Sequence, residues 1–349
     1  MRVVVVGATG NVGTSLLSVL ERDRAVDSVL GLARRRPTMQ MPKVEWAAVD
    51  ITRDDLLPHF RGADAVVHLA WAIQPSRDLE LLRRINVLGS ERVFRAVAEA
   101  GVPSLVYASS VGAYSAGPKN RFVDESWPTD GIATSFYARH KAAVERLLDT
   151  FEHEHPSVRS VRLRPGLIFK REAASGVRRL FVGPFFPTML ARHGVAGLVP
   201  DIDGLRFQAV HSLDVGEAYH LALTREVRGP FNVAAEPVLD PAELARALGA
   251  RRIPVPRRVA RAVAAATWRL RLQPTPEGWV DMALAVPLLD TARARQELGW
   301  EPRHRADDAL RELVDGLREQ AGLETPPLSP RSGGRFRRRE LATGIGGRP

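Results

Sequence analysis

The chain opens with four consecutive β-branched apolar residues, Val3 to Val6, the mark of a strand buried on both faces. A helical pattern carrying Leu16, Leu17 and Leu20 follows, with Gly7, Gly10 and Gly13 between the two. The same alternation then repeats. Residues 28–32 read as a second strand ending in Ala33-Arg34-Arg35-Arg36, and residues 44–49 as a third that delivers Asp50 and Ile51. A short helix at 54–60 precedes a strand at 65–69 ending in His68-Leu69-Ala70. Helical periodicity runs from 79 to 100 and closes at Gly101, and residues 105–108 form the next strand, running into Ser109-Ser110. After a loop at 115–133 come a helix at 134–151 and a strand at 157–163, followed by Arg164-Pro165-Gly166. Short apolar strands alternating with helices predict an α/β fold: a Rossmann-type, doubly wound parallel sheet covered on both faces.

Beyond Ile168 the rhythm changes. Residues 176–200 are rich in Gly, Pro and aromatics, including Phe181, Phe185 and Phe186, and read as substrate-covering structure. A strand at 207–213, a helix at 214–224 and a strand at 231–234 return to the first domain, whereas 241–248, 256–272 and 306–320 read as further helices. The expected division is a dinucleotide-binding domain at 1–168 with returns near 205–235, and a smaller interleaved substrate domain at 169–204 and 236–322. Residues 325–349 read as a disordered basic tail, dispensable for folding.

Composition narrows the function. With 349 residues and 45% hydrophobic content the chain can bury a large core, and with no cysteine it has neither disulfides nor thiolate chemistry. The net charge of +10 is concentrated at the end: residues 325–349 hold six arginines against one acid, Glu340, a net of +5. The rest is ordinary, which argues against a specific nucleic-acid partner. The basic amphipathic pattern at 256–272 reads as a solvated helix packed on a core, and not as a membrane anchor. No leader pattern precedes Val3 and no run of about 18 apolar residues occurs, so the expectation is a cytoplasmic protein without a membrane span, acting on a small molecule.

Two groups of residues carry candidate chemistry. A glycine turn between a buried strand and a helix N-terminus is an anion site, because missing Cβ atoms let a pyrophosphate reach free backbone N–H groups. Here that turn comprises Gly7, Thr9, Gly10, Asn11, Val12 and Gly13. In the second group Ser110 ends a parallel strand, and Tyr137 and Lys141 stand four residues apart on one helical face. A phenol exchanges protons poorly at neutral pH unless a cation stabilises its phenolate, and Lys141 is a candidate for that cation. The histidines His68, His140 and His211 are scattered one per element, so no metal site is expected.

These pieces resemble the extended short-chain dehydrogenase/reductase superfamily, in particular its NAD-dependent epimerase/dehydratase family, over nearly all of residues 1–322. The matching motifs are GATGNVG at 7–13, DI at 50–51, HLA at 68–70, Asn86, YASS at 107–110, YARHK at 137–141, RPG at 164–166 and HSLDVGEA at 211–218. The resemblance implies that Tyr137 is the catalytic acid/base, that Lys141 binds the nicotinamide ribose and lowers the tyrosine pKa, and that Ser110 orients the substrate oxygen. It places Asp50 and Ile51 at the adenine, Leu69, Ala70 and Asn86 along the cofactor, and Pro165 and Gly166 beside the nicotinamide. His68 and His211 are family-pattern positions expected to act as structural hydrogen-bonders. The resemblance also implies a homodimer formed through the helices that carry Asn86 and Tyr137.

Two positions depart from the better-known members. Nucleotide-sugar enzymes carry a basic residue four positions before the histidine of the HxxD element, and here that position is Phe207, with Arg206 beside it. Together with Trp268, Trp279 and the phenylalanines at 181–186, this favours a ketone, aldehyde or alcohol substrate. A nucleotide-sugar epimerase/dehydratase and a non-catalytic dinucleotide-binding regulator are the alternatives. Where NAD-binding versions end the second strand with an acid, this chain has Ala33 followed by Arg34 and Arg35, which favours NADP(H) over NAD(H).

Overall fold

The computed structural model describes residues 1–73, 77–178 and 197–330. From β1 (Arg2–Val6) the chain passes through the helix Asn11–Arg22 to β2 (Ser28–Ala33) and β3 (Val44–Ala48), then through Leu57–Phe60 to β4 (Ala65–His68). Helical turns at Leu79–Arg83, Arg84–Leu88 and Gly89–Glu99 lead to β5 (Ser104–Ala108) and β6 (Phe122–Val123). The long helix Phe136–Glu154 precedes β7 (Arg159–Pro165), β8 (Leu167–Phe169), β9 (Leu198–Asp201) and β10 (Ala209–His211). After the helix Ser212–Thr224 come β11 (Gly229–Val233), β12 (Arg251–Pro254) and β13 (Leu288–Leu289), with helices at Pro241–Leu248, Arg257–Arg269, Glu277–Ala285 and Ala306–Glu319.

Seven strands build one sheet in the order β11-β7-β5-β4-β1-β2-β3, every neighbouring pair parallel. Alternate residues of β1 feed opposite faces. Val3 and Val5 pack with Leu16, Leu17 and Tyr219 on one side, and Val4 and Val6 with Val66, Val93 and Leu105 on the other. That period of two is why β1 reads as continuously apolar: both of its faces are covered. The order reverses at β1, since β2 and β3 lie to one side and β4, β5, β7 and β11 to the other. The crevice beyond the strand ends there is where such sheets take ligands.

Several expectations change. The stretch 79–100 is not one α-helix, because Arg84–Leu88 forms a π turn around Asn86. Within the expected loop at 115–133, β6 pairs with β13, two residues with two. Such short pairing between distant segments leaves no periodic signal. The aromatic stretch with Phe181, Phe185 and Phe186 lies outside the described residues. The tail boundary also moves, because Thr325 is fully buried and Leu328 is 4% exposed. The Leu323 N–H donates to the Leu328 carbonyl at 3.3 Å. Residues 325–330 therefore belong to the packed chain, and Arg331 onward lies outside the described residues. Among the described residues no helix is long and apolar enough to cross a membrane.

Candidate active site

The glycine turn is built for close approach. Gly7 has φ +90°, and a Cβ there would sit 2.6 Å from the Ala70 nitrogen. A Cβ on Gly13 would sit 2.5 Å from the Ala8 carbonyl oxygen. Both places thus need a residue without a side chain, one for the turn and one for docking the helix on the strand. The Leu69 N–H donates to Val6 O at 2.8 Å, which brings the β4 exit alongside the turn. Thr9 is buried, Val12 packs against the core, and Asn11 donates from Nδ2 to Ile168 O at 3.2 Å. The turn, Leu69 and Ala70 are therefore brought together.

At the end of β2, Ala33 is buried and Arg34, Arg35 and Arg36 are exposed. Arg34 and Asp50 lie within electrostatic reach, and Asp50 accepts from Thr52 N at 3.0 Å and Thr52 Oγ1 at 2.7 Å. Ile51 is buried against Gly89. Asn86 is fully buried, with Oδ1 accepting from Ala72 N at 2.7 Å and Nδ2 donating to Ala72 O at 3.1 Å. Its amide thereby fixes the segment after Ala70. Gly166 donates its N–H to Val233 O at 3.0 Å, and Pro165 ends β7.

Ser110 and Tyr137 meet. Ser110 is close enough to act on the phenol, and its Oγ accepts from Gly112 N at 3.0 Å. Trp279 covers the phenol at 5.2 Å between ring centroids, and Trp71 meets it edge-on at 6.0 Å. Burial under these rings pushes the Tyr137 hydroxyl up to about 12, with Ser110 opposing the shift.

Lys141 does not offset that rise. Its Nζ donates to Ala108 O at 2.6 Å and rests 3.6 Å from the centre of the Trp71 ring, while the Tyr137 ring centre is 6.0 Å away. The expected depression of the tyrosine pKa by Lys141 is thus absent, because the ammonium is taken up by a carbonyl and an indole face. Burial draws Lys141 itself down to about 7, opposed by Glu145.

Sequence reading missed three contributors. Glu145 stands one more i,i+4 step beyond Lys141, which was the available signal. It is fully buried and accepts from Arg164 Nε at 2.9 Å, Arg162 at 2.9 Å and the Ser109 hydroxyl, tying the β5 exit to β7. Trp71 follows the HLA motif directly, yet its place over Lys141 depends on a rotamer that no spacing encodes. Met282 lies beside Gly112 at the phenol edge and accepts from the Ser135 hydroxyl at 3.7 Å. The histidines behave as hydrogen-bonders: His68 pairs with Ser90 at 2.9 Å, and His211 Nδ1 accepts from Leu213 N at 3.2 Å.

Comparison with known proteins bears on the fold and the family. An uncharacterized protein of Mycobacterium tuberculosis is 28% identical over 326 residues, 93% of this chain and 31% of that protein, so the chain spans about a third of that relative's length. The human sterol-4-alpha-carboxylate 3-dehydrogenase, decarboxylating, is 27% identical over 170 residues, 48% of this chain and 44% of that one. Among solved structures, the dTDP-glucose 4,6-dehydratase of Streptomyces venezuelae superposes with a TM-score of 0.69 at 21% identity, covering 91% of this chain and 97% of that one. The UDP-glucose 4-epimerase of Thermus thermophilus gives 0.66 at 23% identity, covering 91% and 99%. Residues 3–234 match the NAD dependent epimerase/dehydratase family, and the chain belongs to it.

Proposed function

We propose that the chain is an NAD(P)-dependent oxidoreductase acting on a carbonyl or alcohol, with Tyr137 as the acid/base. The observation that carries this reading is Tyr137 buried under an aromatic cover within reach of Ser110 at the end of β5. The nicotinamide dinucleotide, when bound, supplies or accepts hydride. The glycine turn, Asp50, Ile51, Leu69, Ala70, Lys141, Pro165 and Gly166 would hold it, and the cradles left at Gly7 and Gly13 suit a pyrophosphate. Ser110 orients the substrate oxygen. Tyr137 keeps its proton at neutral pH and gives it to an oxygen gaining charge, which suits the direction of reduction. Trp71, Trp279 and Met282 keep water from that proton and offer an apolar bed.

A screen of ketones, aldehydes, alcohols and sugar nucleotides tests the reading. Tyr137→Phe is expected to lower turnover about 10²- to 10⁴-fold, and undiminished turnover would refute the role. Nucleotide binding without turnover of any compound would point instead to a regulator. Phe207 packs against the core, which supports a carbonyl compound over a nucleotide sugar.

The cofactor preference follows from Ala33, which leaves no carboxylate at the end of β2 to hold a ribose, and from Arg34 beside it, whose guanidinium suits a 2′-phosphate. Titration is expected to show tighter binding of NADPH than NADH, and Arg34→Ala to weaken NADPH about tenfold. Tighter NADH binding by the unaltered protein would reverse the assignment.

A further inference from the structure

The pattern at 256–272 reads as an amphipathic helix with its apolar side on the core, and the structure turns that helix the other way. At about 100° per residue Val259, Ala262, Val263, Ala266 and Leu270 form a single stripe along the helix Arg257–Arg269 and its cap. All five are exposed, Val259 by 48%, Val263 by 55% and Leu270 by 68%. What faces inward is small or charged. Ala265 is buried, Arg261 pairs with Asp281 at 2.9 Å, Arg257 donates to Leu284 O at 3.5 Å, and the Arg77 guanidinium stacks 4.1 Å over the Trp268 ring. The polar side therefore fastens the helix to Glu277–Ala285, and the larger aliphatic side chains are turned outward.

Charge indicates what such a stripe can meet. Residues 251–272 hold seven arginines and no acid. Arg258 and Arg269 stand on one shoulder of the stripe, and with Arg271 just beyond the helix they are exposed and pair with no carboxylate among the described residues. A second copy of the chain would set these arginines against its own, because a two-fold contact lays a patch on itself and like charges facing each other are unfavourable. A shaped protein partner calls for aromatic anchors at the centre of the contact, and the stripe has none, since Trp268 lies on the inner side under Arg77. An aliphatic stripe with cations on its shoulder matches instead the boundary between acyl chains and anionic headgroups. There the stripe sinks into the acyl layer and the guanidiniums grip phosphates.

We propose that the helix Arg257–Arg269 is an interfacial helix that holds the protein on an anionic lipid surface, with Val259, Val263 and Leu270 entering the acyl boundary and Arg258 and Arg269 on headgroup phosphates. The helix lies in the plane of that surface and does not cross it. Neither Tyr137 nor the nucleotide takes part, so this attachment stands apart from the reading of the active site.

The chain has no cysteine, so Val263→Cys offers a single place for a polarity-sensitive dye, at an exposed position where the label leaves the fold intact. The labelled full-length protein is mixed with vesicles of phosphatidylcholine alone, with vesicles of phosphatidylcholine and phosphatidylglycerol, and with polyglutamate. Emission is expected to shift to the blue with the mixed vesicles and to stay unchanged with the neutral vesicles and with polyglutamate. Adding Val259→Asp to the labelled chain is expected to weaken partitioning about tenfold or more, at a first-turn position where a helix favours an acid and so keeps its fold. Arg258→Gln and Arg269→Gln are expected to weaken it about fivefold each, and less as salt is raised. Vesicle binding without a blue shift, or binding undiminished by Val259→Asp, would place the contact elsewhere and overturn the proposal. A shift with polyglutamate and none with vesicles would give the face to an acidic polypeptide, and a shift that grows with protein concentration alone would give it to a second copy. Emission already blue at high dilution and unmoved by vesicles would mean that the chain covers the face itself. Each of these three results would also overturn the lipid assignment.

Discussion

His68 is 1% exposed, with Nε2 on Ser90 and the rings of Tyr107 and Phe94 around it. Burial, with Lys141 nearby, draws the imidazole down to about 3 from an ordinary 6.5. The folded state therefore resists a proton that the unfolded chain accepts. Stability is whole above pH 6.5 and is lost as pH falls from there toward 3, at roughly 1.4 kcal/mol per pH unit. Urea midpoints at pH 7, 6 and 5 should fall steadily, and His68→Gln should make that slope shallower, leaving the share of His140 and His211, which burial also draws down. Glu145 does not confuse this window. Held down to about 2 by Arg164 and Arg162, it releases its own contribution only as pH falls below its ordinary 4.5. That Tyr137 and Lys141 share one helix was legible, since four residues along a helix fix a shared face. Where the Lys141 ammonium goes was not, because which acceptor a long flexible side chain chooses depends on groups contributed by other elements, here Ala108 O and Trp71.

Elements with their own periodicity were legible: β1, β4, β5 and β7 as apolar runs, and Pro241–Leu248 as a helix. Pairs such as β6 with β13, β8 with β10 and β9 with β12 were not, since each joins two to four residues across a long stretch of chain. The segment after the last helix shows how composition can mislead. Proline, glycine and arginine suggested a tail from 325, yet Thr325 and Leu328 are both buried. A chain ending at Leu323 is expected to melt a few degrees below the full protein, the effect of losing about 1.5–3 kcal/mol of leucine burial. A chain ending at Pro330 should match the full protein, and equal melting of both truncations would show that Leu328 contributes nothing.

At the scale of the molecule, register does the assembling. Val6 lies beside His68, His68 beside Tyr107 and Tyr107 beside Arg162, so β1 and β4 finish at one level while β5 runs on to Ala108 and β7 to Pro165. Gly7 and Ala70 are distant in sequence and adjacent in space because parallel pairing ends β1 and β4 together. The elements after Ile168 were far less legible, because they pair in short pieces with distant segments.

The indole of Trp71 carries a consequence of its own. With the Lys141 ammonium 3.6 Å above its ring, its excited state lies in a strong local electric field. Any molecule that draws the ammonium toward its own hydroxyls removes that field, and the emission of this tryptophan shifts in wavelength as it does. The residue that diverts Lys141 from the phenol is therefore also an optical gauge of where that lysine is.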